Sequence, residues 1–231
     1  MPPLPISKRR AVIFMVTVFV VLLLLHLFHL YLFYTRGVSL KSVNFNEEHN
    51  FPSLFATLNL AFSGYLLFYI FIQGKNRPYR KSWFVLCIIF CFLAVDEYGI
   101  IHEGLSKPYR QYVDQFDFLY FFWVVPYSML VILFVVAFLK FFLHLPKKYK
   151  WLFSLSGIIF VFGAIGMEII GAPRAKHFGR EDYLYTTYNT IEECMEFIGI
   201  ILFNYTLMSY IEDFVPHRKK SRAVIGKRPN S

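Results

Sequence analysis

The stretch AVIFMVTVFVVLLLLHLFHLYLFY, residues 11–34, contains no Asp, Glu, Lys or Arg. A helix of about 20 apolar residues crosses the hydrocarbon core of a bilayer. The run is long enough to span, and longer than the roughly 7–15 apolar residues of a secretory signal. No small-residue cleavage site comes after it, so it is expected to remain as an uncleaved first span.

Five similar runs lie further along the chain. The spans are expected at about 11–34, 53–73, 83–104, 118–143, 151–171 and 187–210. Helix breakers agree with these limits: Pro52, Gly74 with Pro78, Pro108, Pro146, Pro173 and Pro216 each fall at or beyond an end. The chain is 57% hydrophobic and 20% aromatic, with mean hydropathy +0.48. Soluble globular domains are nearer 45–50% apolar. The expected fold is an all-α, polytopic integral membrane protein. It is one transmembrane domain over 1–231, with a short basic tail at 211–231.

Lys and Arg concentrate in the loops that stay cytoplasmic. Lys8, Arg9, Arg10, Lys75, Arg77, Arg80, Lys81, Lys147, Lys148, Lys150 and six residues from Arg218 to Arg228 fall on one side. Arg36, Lys41, Lys107, Arg110, Arg174, Lys176 and Arg180 fall on the other. Both termini are therefore expected in the cytoplasm, with the chain in a plasma (inner) membrane. This topology accounts for the net charge of +9. The basic tail would meet anionic lipid headgroups rather than nucleic acid. An odd number of spans in each half permits a 3+3 inverted arrangement.

The informative residues are the acids inside the spans. Asp96, Glu97 and Glu103 lie in the third, Glu168 in the fifth, and Glu192, Glu193 and Glu196 in the sixth. A charge at the centre of a membrane helix costs at least about 2.5–3.5 kcal/mol, and such residues mark functional sites. The expected topology puts all seven in the outer half of the bilayer, with His26, His29, Asn59, His102 and Asn189. At about 100° per residue, Asn189, Glu192, Glu193 and Glu196 fall within an arc of roughly 100°.

Like carboxylates in low dielectric must be paired, protonated or bound to a cation. Glu and His at helical spacing on facing helices form the ligand sets of dinuclear metal sites in bundles. Asp96, His102, Glu103, Glu192 and Glu196 are the expected ligands of a divalent or di-metal site holding Fe, Mn or Zn. Glu193 and Glu97 are the expected general bases. Glu168, His26, His29, Asn189 and Asn59 are further candidates. The competing account is structural: acids paired with Arg174, Lys176, Arg180 or His102.

Glu47, Glu48, Asp114, Asp117, Glu181 and Asp182 are expected to be solvated loop residues. Tyr31, Tyr34, Tyr183, Tyr185 and Tyr188 are expected to form an interfacial aromatic belt. Cys87, Cys91 and Cys194 lie inside spans and imply no disulfide framework. HExxH, GxSxG and Gly-rich phosphate-loop motifs are absent.

These residues point to a membrane-embedded, metal-dependent hydrolase or oxidoreductase acting on a lipid or lipid-linked substrate. A cation- or proton-coupled transporter and a structural or assembly protein are the alternatives.

Overall fold

The computed structural model describes residues 7–74, 78–106, 108 and 116–214. The tail at 215–231, with its basic residues and Pro216, lies outside the described residues, as do Lys75, Arg77, Lys107, Arg110 and Asp114.

All regular structure among the described residues is helical. Helix α1 (Lys8–Arg36) starts where the Ser7 side chain accepts a bond from the Arg10 N–H. It stops at Gly37, whose φ of 66° suits a residue without Cβ. Helix α2 (Phe51–Gln73) opens on a reciprocal capping box between Asn50 and Ser53. Helix α3 (Arg80–Gly99) is succeeded by the short α4 (Ile101–Ser106), then α5 (Val124–His144). Helix α6 (Lys147–Val161) runs through a π-helical turn at Phe162–Met167 into α7 (Glu168–Phe178). Helix α8 (Tyr183–Phe214) is last. Six of these are long and apolar enough to cross a membrane: α1, α2, α3, α5, the α6–α7 rod and α8.

Three limits differ from the sequence reading by five residues or more. The third span ends at Gly99 rather than 104, because Ile100 takes a left-handed backbone (φ 53°). The fourth begins at Val124 rather than 118, after a 3₁₀ turn at Asp117–Leu119. Pro173 sits inside α7, which continues to Phe178. Proline forfeits one backbone bond there, a loss that membrane helices tolerate when neighbours supply the packing.

Helix α8 is the axis of the bundle and packs on α1, α2, α6 and α7. The two halves of the chain therefore interleave. Hydrophobicity does not drive helices together in lipid, so close packing and polar contacts must do so. Both are present. A Cβ built at Gly199 of α8 would lie 2.8 Å from the Phe160 backbone nitrogen of α6. One at Gly163 would lie 3.0 Å from Met195. Deeper in the bundle, the Ser63 hydroxyl donates to Asn204 Oδ1 at 2.7 Å, and Asn204 Nδ2 donates to the Asn59 carbonyl at 3.1 Å. Lys8 pairs with Glu212 at 2.5 Å, which puts the start of α1 and the end of α8 at the same end of the bundle.

Gly199→Leu forces a side chain into the Phe160 backbone. We expect it to lower stability by about 1–3 kcal/mol, the range for overpacking. Thermal unfolding in detergent measures this. Gly157→Leu, where a Cβ meets nothing within 4 Å, should leave the melting temperature unchanged.

Candidate functional site

The break between α3 and α4 is the first element of the site. Its left-handed Ile100 would be costly alone. Asp96 holds it: one carboxylate oxygen accepts the His102 backbone N–H at 2.9 Å. The other accepts the Tyr127 hydroxyl at 2.8 Å and lies 3.4 Å from His102 Nδ1. The His102 ring packs edge-on to Trp123, centroids 4.9 Å apart. Trp123 Nε1 in turn donates to Glu168 at 3.3 Å. Asp96, His102, Tyr127, Trp123 and Glu168 thus form one connected chain from α3 to α7.

Glu168 is the first residue after the π turn. A π-helical turn resets the angular register of the helix beyond it, and such turns are frequent at functional sites. On the far side of Glu168 stands α8, where Glu192 lies within electrostatic reach of Glu168. Gly163 lets the rod approach to 3.1 Å from the Glu192 carbonyl and 3.3 Å from Glu196 Cγ, measured from a built Cβ. Glu196 is the hub: Glu97, Glu168 and Glu48 all lie within its electrostatic reach. Glu193 is in reach of Glu196, Glu97 and Glu48. Asn189, one turn above Glu193 on the same face, is buried with its Oδ1 unpartnered.

The positive charges are few and engaged. Arg180 donates to Glu103 at 3.0 Å. His102 faces Asp96. Arg174 forms a two-pronged pair with Asp182, at 2.6 and 2.8 Å. Lys176 and His177 both bind Asp117, at 3.0 and 2.8 Å. The structural account therefore holds for Asp96 and Glu103. Glu97, Glu168, Glu192, Glu193 and Glu196 form no ion pair with Lys or Arg among the described residues.

Other sequence candidates fall elsewhere. His26 Nδ1 accepts the Phe45 N–H at 3.1 Å, and Nε2 meets the Thr190 hydroxyl at 2.9 Å. That hydroxyl already donates to the Thr186 carbonyl, so His26 is neutral with its proton on Nε2. Both ring nitrogens are used and neither is left for a metal. His29 Nδ1 accepts the Leu40 N–H at 2.9 Å. The two histidines pin the α1–α2 loop onto α1. Asn59 belongs to the deeper Ser63–Asn204 contact, away from the acids.

Among the described residues, no three of the His, Cys, Asp and Glu side chains stand in an arrangement that would grip a metal ion. The expected ligand set of Asp96, His102, Glu103, Glu192 and Glu196 is thus not preformed. Tyr127 and Arg180 hold two of its members, and repulsion favours separation of the others.

Three participants were missed from sequence. Trp123 and Tyr127 fall inside the expected fourth span without any distinguishing signal, and only their acidic partners reveal their role. Glu48 reads as a solvated loop residue, yet its electrostatic neighbours include Glu103 and His102. The loop carrying it is fastened by Phe45 stacked on His26 and by Asn46 bonded to the Arg180 carbonyl. Asp117 and Asp182 are also paired rather than simply solvated. Tyr185 is buried against Gly171 and Phe121 rather than placed in a belt.

Fold and site define an all-helical protein with six span-length helices around a partly buried carboxylate cluster. The chain belongs to a family described as a domain of unknown function, DUF8692, whose model matches residues 11–211. No curated protein and no solved structure matches it.

Asp182 also caps α8 by accepting the Leu184 and Tyr185 N–H groups. Arg174 beside it holds its carboxyl down from 3.8 to about 2. A depressed carboxyl stabilises the fold above its unfolded pKa, and the benefit is lost as pH falls through the folded value. Wild type should therefore be more stable than Asp182→Asn above about pH 4, with the two converging toward pH 2. Paired melting curves across that window test the expectation.

Proposed function

We propose that this chain is a membrane-embedded enzyme whose carboxylates bind one or two divalent cations, Fe, Mn or Zn, in the outer half of a plasma (inner) membrane. Both termini are cytoplasmic, and the substrate is a lipid or lipid-linked molecule. The observation that carries this reading is an imbalance of charge: five carboxyl groups converge with no Lys or Arg ion pair among the described residues, and only Arg180 and His102, already bound to Glu103 and Asp96, stand within electrostatic reach. Carboxyl groups this close in low dielectric, such as Glu168 and Glu192, are held together at least cost by a shared proton or a cation. The unpartnered Asn189 oxygen faces the same region and is a neutral ligand of the kind that hard cations accept.

In this reading Glu168, Glu192 and Glu196 bind the cation directly. His102 turns Nδ1 toward Asp96, the arrangement in which a carboxylate orients imidazole and leaves Nε2 for metal. Asp96 and Tyr127 then position His102. Glu193 or Glu97 is the general base, and the metal acts as Lewis acid or activates water or oxygen.

A second reading, proton- or cation-coupled transport, is favoured by the closeness of Glu168 and Glu192. It is opposed by the lack of buried ionisable groups below the acids, where Phe197, Ile200 and Ile201 are almost completely buried and the neutral Asn59, Ser63 and Asn204 are the polar neighbours. Transport sites need access to both sides.

Elemental analysis of purified protein beside Glu192→Gln/Glu196→Gln of matched monodispersity separates the readings. One or two equivalents of Fe, Mn or Zn, lost in the folded variant, are expected. Metal-free wild type, or stoichiometric metal retained in the folded variant, sinks the cation site. A variant that cannot fold would favour a structural role, and Glu196→Asp, which keeps the charge, then reports metal binding. An alkaline phosphatase fused to the C-terminus should be inactive. An active fusion overturns the orientation.

A further inference from the structure

Helix α5 touches the bundle at its two ends and stands away from it between them. At the outer end Tyr127 bonds Asp96 and Trp123 bonds Glu168. At the inner end Phe141 packs edge-on to Trp83, centroids 4.9 Å apart, and Trp83 also meets Tyr210 of α8 and Phe153 of α6. Both ends of α5 therefore lie over the junction of α3, α8 and the α6–α7 rod. Between them, residues 132–137 are exposed without exception. Six consecutive residues at about 100° each sweep the whole circumference of a helix. The middle of α5 is consequently only loosely covered: even Phe134, the least exposed large side chain there, is 37% exposed.

The surface it leaves uncovered is apolar. Phe90 of α3 stacks on Phe203 of α8 at 4.4 Å, and Phe153 of α6 meets the same ring at 5.3 Å. All three are only partly buried, although Phe203 lies on the central helix. Gly157 shares a face of α6 with Phe153 and Phe160, and a Cβ built there meets nothing within 4 Å. A slot thus runs beneath α5 along 129–137, about 12 Å at a helical rise of about 1.5 Å per residue. Above Phe203 the same face of α8 passes Gly199, which Phe160 of α6 covers, and then reaches the acids. Glu192, Glu196, Gly199 and Phe203 fall within about 60° on α8, and Glu196 stands two turns above Phe203.

We propose that this slot binds one acyl chain of a membrane lipid and directs the lipid's polar end to the carboxylate cluster. The lining is aromatic and aliphatic, and the sides of α5 open to the bilayer. A partner helix, about 10 Å across, would have to unseat the pins at both ends of α5, whereas a single hydrocarbon chain passes between them. The destination of the polar end rests on the proposed function of the cluster; occupancy of the slot does not.

The test uses full-length protein in phosphatidylcholine nanodiscs containing a phospholipid with a diazirine in mid-chain, with mass-spectrometric mapping of the adducts. Adducts are expected on Phe90 and Phe203 behind α5, as well as on its outer face. Gly157→Phe fills the slot, and adducts on Phe203 should be lost while those on Ile132 and Leu133 persist. Gly157→Ala should label like wild type. Absence of Phe203 adducts in wild type, or their persistence in folded Gly157→Phe, overturns the slot. The labelling needs no metal, so a metal-free protein that still labels Phe203 would overturn the cation site and leave the slot standing.

Discussion

Five carboxyl groups meet inside a bundle of span-length helices without a Lys or Arg ion-pair partner among the described residues, and the surrounding structure is arranged around that fact. Removing such groups from water is expensive, and mutual repulsion adds to the cost. Their neighbours compensate in part. Tyr127 and the His102 backbone bind Asp96, and Trp123 binds Glu168. These contacts fix α4, the start of α5 and the α6–α7 rod relative to one another, so the polar layer also determines where three helices end or bend.

Helix α8 carries both halves of the design. Its N-terminal half presents Asn189, Glu192, Glu193 and Glu196 on one face. From Phe197 onward it presents Phe197, Phe203, Leu207 and Ile211 to α1, α2 and α6. Small residues decide how closely the neighbours approach: Gly163 against Met195 and Glu196, and Gly199 against Phe160. The acids and this mainly apolar packing are thus set at different levels of one continuous helix.

Much of the fold was legible because a bilayer leaves few choices. Backbone groups in lipid must bond within their own segment, so a sufficiently long apolar run is a helix. The same logic located the acids, since their cost makes each one conspicuous. Local backbone events were not legible. Ile100 is a β-branched residue in a left-handed conformation, held by Asp96 and His102 rather than by local preference. Pro173 marks a helix end in most sequences and lies within α7 here, where packing outweighs the lost bond. Glu48 looks like an ordinary loop acid, and only the pinning of its loop by His26, His29 and Asn46 brings it to the cluster.

By itself the sequence determined that the chain is helical, that six segments can cross a membrane, and that three of them carry acids. Length, hydropathy and helical period suffice for that, because each is a property of a single segment. Which acids are neutralised was decided only by the tertiary structure. Asp96 and Glu103 find His102 and Arg180, while Glu97, Glu168, Glu192, Glu193 and Glu196 are brought together without such partners. His26 and Asn59, indistinguishable from ligands in the sequence, are spent on a loop and on a helix contact. Electrostatic pairing depends on distances between segments, and those distances exist only once the helices have packed.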